Sequence, residues 1–446
     1  MNNNATGTGA AHQTSPILAK PATNYRYTVV MLLGGMTCIN YIDRYNIAAA
    51  VPTLMKLFGL SPSKMGVLMS AFGWSYLACM AVIGYLLNRK SPKTVMFWCC
   101  LGWGLVTTCT SLVAGFYSFL VVRVLLGATE SAAFPACARV VGVWTPKRER
   151  TFSTGVFDCA SKFGSAFSPP LVVWAIINWG WKSSFLITGC LAVIYSFVWL
   201  RFYHDPEKHP KISESELDYI RQDQALDDKR QAIKTPEIPM YKLLTYPRIF
   251  LMCTGFFLYM YHSTVFHVWI PAYLVHAKGY NLKQMGYAAA YPYIGAVVFE
   301  LIGSFTLDKW FQHGATLNQV RRTGQFAGMF GSAIALYLAV VAPTPGMTVF
   351  WLTASYSLVA ISGAQNWAIT TNLAPQGQIG TVSAMNGMCG ALATIVAPVI
   401  SGLLIETRWG YDGALVVTVV AVGLAGVIYG TLDYSKPIVP RVKKTA

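Results

Sequence analysis

The sequence has 446 residues, of which 54% are apolar and only 12% are charged, and its mean hydropathy is +0.45. Soluble proteins carry about 25% charged residues, so this composition excludes a soluble enzyme, a secreted scaffold and a disordered chain. It indicates a membrane protein with enough apolar residues for about twelve spans of about 20 residues each. The ten cysteines lie in apolar segments without the spacing of a zinc or redox site. We therefore interpret them as packing residues and expect no metal and no cofactor.

Residues 1–24 are rich in Asn, Ala, Thr and Gly, and no basic region precedes a short apolar core. We therefore expect a flexible cytoplasmic tail rather than a signal peptide. Twelve apolar segments follow, numbered here as spans 1 to 12: 27–50, 64–87, 94–114, 116–140, 152–177, 182–203, 247–274, 285–307, 323–343, 347–373, 379–405 and 410–432. Their length and their lack of alternating polarity predict helices rather than the strands of a β-barrel.

A polar connector divides the spans into two sets of six. It holds nine of the 18 acidic residues, and Ser213 and Glu216 within it predict a capping box that opens a cytoplasmic helix. The segments 145–170 and 374–398 repeat a pattern that places span 5 opposite span 11. The predicted fold is an all-α membrane protein with twelve transmembrane helices in two six-helix halves. Its predicted parts after the tail are an N-terminal half 25–203, a connector 204–246, a C-terminal half 247–433 and a basic cytoplasmic tail 434–446.

The loop charges predict the orientation of the chain. If both termini are cytoplasmic, only six of the 34 Lys and Arg residues lie on the external side: Lys56, Lys64, Lys182, Lys278, Lys283 and Arg408. The positive-inside rule then explains most of the formal charge of +16. We therefore expect cytoplasmic termini and no nucleic-acid partner.

Seven charged residues lie within the predicted spans, away from the span ends. A lone charge at mid-membrane costs at least about 2.5–3.5 kcal/mol, so these groups are expected to pair with one another or to line a water-filled pathway. They are Asp43, Arg44, Arg123, Glu130, Asp158, Lys162 and Glu300.

The spacing of these residues predicts which of them can meet. Arg123 and Glu130 are seven residues apart on span 4, so they share one face about 10 Å apart along the axis. Asp158 and Lys162 are four residues apart on span 5 and can pair directly. A structural and a functional role for this second pair are both open.

The remaining polar residues of the spans need partners on other helices. Asp43 and Arg44 are adjacent and point in different directions, so each is expected to have its own partner. Glu300 has no charged neighbour within span 8, and a site role and a contact to a neighbouring helix are both open. His262 and His267 are expected to hydrogen-bond across helices. If the charges of spans 1, 4 and 5 face one cavity, the cations can bind an anionic substrate and a carboxylate can carry a proton.

Five segments of the sequence resemble the anion:cation symporter branch of the major facilitator superfamily, which includes bacterial sugar-acid, hexuronate and phthalate carriers. The resemblance extends over about residues 26 to 435, and the segments are NYIDRYNIAAAVP (40–52), SAFGWSYLACMAVIGYLLNR (70–89), RVLLGATESAAFP (123–135), PKRER (146–150) and FYHDPEKHPKISESELDYI (202–220). It implies the major facilitator fold, a monomer in the bacterial inner membrane and a proton as the coupling ion, while sodium coupling stays open.

The resemblance also implies roles for particular residues. Arg44 would contact the substrate carboxylate. Asp43 and Glu130 would be the protonation sites, with Arg123 as their electrostatic partner. The pocket would also contain Tyr41, Tyr76, Trp367 and Asn386.

The sequence departs from the sugar-acid carriers at several of these positions. Ser161 and Phe256 stand where those carriers have glutamines, and Asp158 and Lys162 replace uncharged residues. A short organic acid, a sulfonate or an aromatic carboxylate therefore has to be considered beside a sugar acid or hydroxy acid. In such a site Ser161 and Lys162 would contact the substrate, and Asp158 would take part in proton coupling.

These observations predict proton-coupled uptake of a small organic anion across the bilayer by alternating access. The membrane potential opposes anion entry by about 2.3 kcal/mol per charge per 100 mV, and protons that travel with the anion offset this term. An importer of phthalate-like aromatic carboxylates is the alternative, and efflux or exchange of drugs or metabolites is less favoured. An enzyme is not expected, because the sequence has no His-Glu-x-x-His, no Gly-x-Ser-x-Gly and no phosphate-binding glycine loop.

Overall fold

The structure is a computed structural model that describes residues 22–146, 149–221, 238–375 and 378–435. The regular secondary structure in these ranges is helical, without strands. The predicted tails 1–24 and 434–446 and the middle of the predicted connector fall largely outside the described residues.

Within the described ranges, seven helices form the N-terminal half and seven form the C-terminal half. The first set is α1 (Tyr25–Phe58), α2 (Pro62–Arg89), α3 (Pro92–Cys109), α4 (Phe116–Glu130), α5 (Ala133–Trp144), α6 (Arg150–Trp179) and α7 (Trp181–Phe202). The second set is α8 (Pro247–His276), α9 (Leu282–Ala288), α10 (Tyr291–Gln312), α11 (Leu317–Val341), α12 (Pro345–Leu373), α13 (Ile379–Ile405) and α14 (Gly410–Thr431).

These helices make up the twelve predicted spans, because spans 4 and 8 are each broken in two. α4 and α5 separate at residues 131–132, just before Pro135, and α9 and α10 separate at residues 289–290, just before Pro292. A proline lacks the backbone N–H, and its ring clashes with the carbonyl four residues earlier, so each helix has to restart. The twelve-span all-α fold is confirmed, and spans 4 and 8 each consist of two consecutive helices.

Ten of the twelve spans are long and apolar enough to cross a membrane, judged by length and composition over the described residues. The other two are α1 and α6, which carry Asp43, Arg44, Asp158 and Lys162. The two least apolar spans are thus among those that carry the charged residues for which the sequence predicts a functional role.

Local capping shows why several helices begin where they do. The Ser61 hydroxyl accepts a hydrogen bond from the backbone N–H of Lys64 at 3.4 Å, and a proline follows at the first helical position of α2. Asn281 and Gln284 form a reciprocal capping box that opens α9.

Three clusters of buried apolar residues show how the two halves are joined. One cluster, the shared core, combines residues from the last turns of α1 and the first turns of α2 with residues of α8, α9 and α13. The other two clusters each lie within one half, towards the end of the molecule where α1 starts and α14 ends. The halves therefore pack together at one end, called here the closed end, and diverge towards the other, called here the open end.

α2 and α13 make the backbone contacts that hold the closed end together. Gly66 lies against the carbonyl group of Pro398, and Gly402 lies against that of Pro62, so there is no space for a side chain at either glycine. The adjoining loops are linked as well, because the backbone N–H of Ser63 donates to Glu406 Oε1 at 2.9 Å.

The described part of the connector is fastened to the start of α1. Residues 214–221 are helical, and the backbone N–H of Glu216 donates to the Ser213 hydroxyl at 3.2 Å, which confirms the predicted cap. The Glu216 carboxylate, however, does not return to the Ser213 backbone. It accepts from the backbone N–H groups of Tyr25 and Arg26, both at 3.1 Å, and from the Arg26 guanidinium at 3.1 Å. Glu216 therefore caps α1 and not its own helix.

We expect Glu216→Gln to lower the stability of the protein. Glu216 is fully buried, and the change removes the charge that faces the α1 N-terminus and Arg26, a loss of about 2 kcal/mol for hydrogen bonds to a charged group. Thermal unfolding of the detergent-purified protein measures this as a lower melting temperature. The exposed neighbour Glu214→Gln is the control, and equal melting temperatures for the two variants would contradict this assignment.

We expect Gly66→Val to destabilise the closed end, because the new side chain has to push α13 away from α2. Overpacking of this kind costs about 1–3 kcal/mol. The control is Gly84→Val on the same helix, where an added Cβ meets no atom within 4 Å. Spin labels at Leu57 and Arg408, in a background without native cysteines, should move apart in Gly66→Val only. An unchanged distance would show that this contact does not hold the end closed.

Candidate functional site

Arg44 and Glu130 form an ion pair between α1 and α4. Arg44 Nε lies 3.0 Å from Glu130 Oε2, and the exposed fractions of the two side chains are 17% and 0%. Glu130 is the last residue of α4, and the helix breaks directly after it. Arg44 therefore has the partner on another helix that the sequence predicts.

Aromatic rings surround the Arg44 guanidinium. Its central carbon lies 4.8 Å from the ring centroid of Phe72 and 5.2 Å from those of Tyr41 and Tyr76. Such contacts favour a cation in an apolar setting. Nη2 of Arg44 is buried without a hydrogen-bond partner among the described residues, so both N–H donors of this nitrogen are unused.

Arg123 does not pair with the carboxylate seven residues away. Its Nε donates to the backbone carbonyl of Leu68 at 3.4 Å, its guanidinium lies 5.1 Å from the Phe72 ring, and within the described ranges it has no salt bridge. The partner of Glu130 is Arg44 instead.

Asp43 is buried, and neither of its carboxylate oxygens has a hydrogen-bond partner in the described part of the chain. It faces α7, where the Thr188 hydroxyl accepts from Asn46 Nδ2 at 2.9 Å. The group that faces Asp43 from another helix is thus the neutral hydroxyl of Thr188, and no cation pairs with Asp43 among the described residues.

Asn40 is a residue that the sequence argument missed. It lies one turn before Arg44 on α1, is fully buried and faces the Glu130 carboxylate. Neither end of its amide has a hydrogen-bond partner among the residues described here. A polar residue four positions before the arginine of an apolar helix is the signal that would have found it.

Asp158, Lys162 and Glu300 form a second charged cluster. Lys162 Nζ lies 2.5 Å from Asp158 Oδ2, as the four-residue spacing predicts, and 2.6 Å from Glu300 Oε2. Glu300 is therefore in contact with a neighbouring helix, and that helix, α6, belongs to the other half. Ser161 lies between these residues in sequence, but its hydroxyl donates to the Asp158 backbone carbonyl at 2.6 Å and its side chain is 3% exposed.

The C-terminal half contributes neutral polar groups. Asn386 on α13 is buried, and its Oδ1 has no hydrogen-bond partner within the described residues. Gln365 on α12 was not predicted from the sequence. It is buried, and neither its Oε1 nor its Nε2 has a hydrogen-bond partner within the described residues. The backbone of Trp367 belongs to α12, and its side chain lies outside the described part. Phe256 on α8 packs against Gly390 of α13.

Aromatic residues close the site on the side of the shared core. The ring of His267 on α8 stacks on Tyr45 of α1 with centroids 4.1 Å apart, and its Nε2 lies 3.1 Å from the Tyr356 hydroxyl on α12. His262 hydrogen-bonds to Ser355 at 3.4 Å. The prediction that both histidines bond across helices is confirmed.

The charged residues of spans 1, 4, 5 and 8 thus lie where the two halves separate. They form two clusters, Arg44–Glu130 and Asp158–Lys162–Glu300, with Asp43 and Arg123 buried on either side of the first. Among the described residues there is no group of three or more His, Cys, Asp or Glu that could hold a metal ion.

Comparisons with known proteins agree with this architecture. The chain matches the family described as Major Facilitator Superfamily over residues 33–398. Two solved structures share the fold: a bacterial homologue of the human lysosomal transporter Spinster in an inward-facing, unoccupied conformation and a D-xylose-proton symporter. The first has a TM-score of 0.73 at 15% identity over 92% of this chain and 97% of that one. The second has a TM-score of 0.71 at 14% identity over 92% and 98%.

Curated relatives are similar over nearly the whole chain. The probable galactarate/D-glucarate transporter of Escherichia coli (strain K12) is 29% identical, covering 88% of this chain and 90% of the relative. The probable sulfoacetate transporter of Cupriavidus necator is 29% identical, covering 87% and 89%. The hexuronate transporter of Escherichia coli (strain K12) is 26% identical, covering 94% and 96%. The match over most of the chain and the shared twelve-span fold show that this protein is a membrane transporter, not an enzyme, and that it belongs to the Major Facilitator Superfamily.

Proposed function

We propose that this protein takes up a small organic anion together with protons by alternating access. The observation that carries the proposal is the buried Arg44–Glu130 pair, which leaves Nη2 of the guanidinium without a partner and lies next to Tyr45, whose ring stacks on His267 of the other half. The printed names of the relatives support an anionic cargo, because galactarate, D-glucarate, sulfoacetate and hexuronates all carry acidic groups.

The ion pair couples the proton to the anion through charge balance. A buried pair that loses one partner leaves an uncompensated charge, which costs about 3–5 kcal/mol. When a proton neutralises Glu130, Arg44 needs a new anionic partner, and the substrate carboxylate supplies it. When the substrate leaves, Arg44 draws Glu130 back into its ionised form, and the proton departs on the same side. Asp43, a buried carboxyl group without a partner in the described ranges, is the second candidate for carrying a proton.

Alternating access follows from the unequal packing of the two ends. The halves, 25–203 and 247–433, rock about the site so that the shared core opens while the open end closes. We place the protein in the bacterial inner membrane with both termini in the cytoplasm, as the loop charges favour. In that orientation the open end faces the cytoplasm, and the structure is the inward-facing state.

Proton symport also overcomes the membrane potential. An anion entering a cell is opposed by about 2.3 kcal/mol per charge per 100 mV. One proton per negative charge cancels this term, and a tenfold proton gradient adds about 1.4 kcal/mol for each proton.

An aromatic carboxylate is the second candidate substrate, and the aromatic lining favours it. Phe72, Tyr41 and Tyr76 surround Arg44, and Tyr45 and His267 lie on the closed side of the site. Flat faces of this kind can stack on an aromatic ring. A competition assay with phthalate against D-glucarate distinguishes the two substrate classes.

We expect Arg44→Ala and Glu130→Gln each to lower proton-driven accumulation by at least about tenfold, the effect of losing about 1.4 kcal/mol of coupling. Proteoliposomes with an inward proton gradient and labelled D-glucarate, sulfoacetate or D-glucuronate measure it. Glu130→Gln should still exchange internal for external substrate, because the neutral side chain mimics the protonated state, whereas Arg44→Ala should not.

The controls for this experiment are Arg408→Ala and Glu214→Gln, which change exposed residues and should transport like the wild type. A sodium gradient alone should drive no uptake by the wild-type protein. Wild-type accumulation in both site variants, or uptake that depends on sodium and not on protons, would refute the proposed coupling.

A further inference from the structure

Lys162 joins the two halves of the molecule through two carboxylates. Its Nζ contacts Asp158, one turn earlier on α6, at 2.5 Å, and Glu300 on α10 at 2.6 Å. These three residues are called here the Lys162 triad. The exposed fractions of the Asp158, Lys162 and Glu300 side chains are 33%, 24% and 9%, so the first two are only partly buried.

The Lys162 triad contains one cation and two carboxylates. When all three residues are ionised it has one net negative charge, and an anion is repelled from it. A ligand with a negative charge can reach Lys162 only after one carboxylate has been neutralised or has moved away. Glu300 is the partner that can move, because Asp158 is held one turn away on the same helix as Lys162.

The contact between Lys162 and Glu300 crosses an interface that has to move. α6 and α10 belong to different halves, and these halves shift relative to each other in alternating access. Breaking a buried ion pair without replacement leaves an unpaired charge and is strongly unfavourable. When this contact opens, Glu300 therefore has to be neutralised or to find another partner, and Lys162 keeps Asp158 alone as its carboxylate partner within the triad.

The Lys162 triad adjoins the Arg44 site. The ring centroid of Tyr41 lies 5.2 Å from the guanidinium carbon of Arg44, and the Tyr41 hydroxyl is also within the electrostatic range of Lys162 and Asp158. Tyr41 therefore contacts Arg44 and lies close enough to the Lys162 triad to feel its charges.

The packing of α1 on α6 shows that the two cations also lie at similar depth. The Thr37 hydroxyl donates to the Phe157 carbonyl at 2.9 Å, and the Ser168 hydroxyl donates to the Ile42 carbonyl at 3.0 Å. Lys162 lies between Phe157 and Ser168, so it is level with the segment of α1 between Thr37 and Ile42. Arg44 follows Ile42, the end of that segment, by about half a helical turn. At a rise of about 1.5 Å per residue, the cations differ in depth by no more than about 12 Å.

We propose that Lys162 is a second anion-binding residue and that the preferred substrate is an organic dianion, such as a dicarboxylate or a carboxylate that also carries a sulfonate. One acidic group binds Arg44, and the other replaces Glu300 at Lys162. This inference rests on the proposed function and specifies its substrate class.

A proton on Glu300 balances the exchange. The proton comes from the solvent that the site faces and binds a carboxylate oxygen of Glu300, whereupon the contact with Lys162 opens. The other titratable groups that face Glu300 are Asp158, Cys159 and Tyr259. α12, which packs on α10, has no Asp, Glu, Lys, Arg or His, and Arg321 of α11 lies beside Asp308, two turns nearer the open end. With one proton on Glu130 and one on Glu300, uptake of a dianion is electroneutral.

The substrate preference is tested with pairs of compounds that differ by one acidic group. Calorimetry on the purified full-length protein compares D-glucarate with D-gluconate, and sulfoacetate with methanesulfonate. We expect the wild type to bind at least one dianion about tenfold more tightly than its monoanionic partner. Lys162→Gln should bring the two affinities within about twofold of each other while monoanion binding is retained. Lys162→Arg should keep the preference, and the exposed control Lys283→Gln should match the wild type.

The possible failures are distinguishable. Equal binding within every pair by the wild type overturns the inference, and so does an equal loss of both ligands in Lys162→Gln. If the protein accumulates monoanions under a proton gradient but does not bind their dianionic partners more tightly, the proposed function stands and the inferred preference for dianions is wrong. If it accumulates neither monoanions nor dianions, both the proposed function and the inferred preference are wrong.

The proton on Glu300 is tested by the charge that transport moves. Proteoliposomes on a solid-supported membrane should give no current with a dianion for the wild type. Glu300→Gln cannot take up the second proton, so each dianion should carry one net negative charge inwards. If Glu300→Gln does not transport, dianion binding to this variant is measured as a function of pH instead. It should depend on one proton fewer than dianion binding to the wild type. A wild-type current that Glu300→Gln leaves unchanged, or an unchanged pH dependence of binding, overturns the assignment.

Discussion

The low polarity of the membrane interior is the constraint on which this structure depends, because a charge placed there needs a partner or water. Arg44 and Glu130 satisfy it jointly, since each is the other's ion partner and Glu130 is fully buried. Such a pair opens only when another group replaces the lost partner. In the proposed cycle a proton on the carboxylate and an anion on the guanidinium therefore enter together, so that the coupling arises from charge balance within an apolar site.

The folding of individual helices places these groups where the halves meet. Pro135 ends α4 directly after Glu130, so the carboxylate lies at a helix end and not within a continuous span. α1 and α6 lie side by side, which brings the charged residues of both helices to one region. These two helices are also the least apolar of the twelve spans. The fold thus concentrates its polar residues on a few helices, and the remaining helices keep the apolar character that membrane insertion requires.

Composition and segment length predict the twelve-span architecture, because insertion depends on hydropathy summed over a whole helix. A contact within one helix is also predictable, as Asp158 and Lys162 show, since a spacing of four residues is sufficient. Contacts between helices are not predictable in this way. The spacing on span 4 places Arg123 and Glu130 on one face about 10 Å apart along the axis, but it gives no sign that the direct ion partner of Glu130 is Arg44. That contact depends on how helices distant in sequence pack. The buried amides of Asn40 and Gln365 are missed for a related reason, because neither carries a charge that marks it within an apolar segment.

The shared core also makes the two ends of the protein thermodynamically unequal. It is built from apolar side chains of both halves, whereas the open end has charged residues such as Arg89 and Asp308 on its surface. Separating the core hydrates apolar surface and raises the heat capacity, and closing the opposite end dehydrates mainly polar groups. The proposed cycle has one state with the shared core closed and one with the opposite end closed. Because apolar association weakens on cooling, the populations of these two states depend on temperature even without substrate. In the proposed transport cycle we therefore expect cooling to raise the fraction of molecules in which the shared core is open.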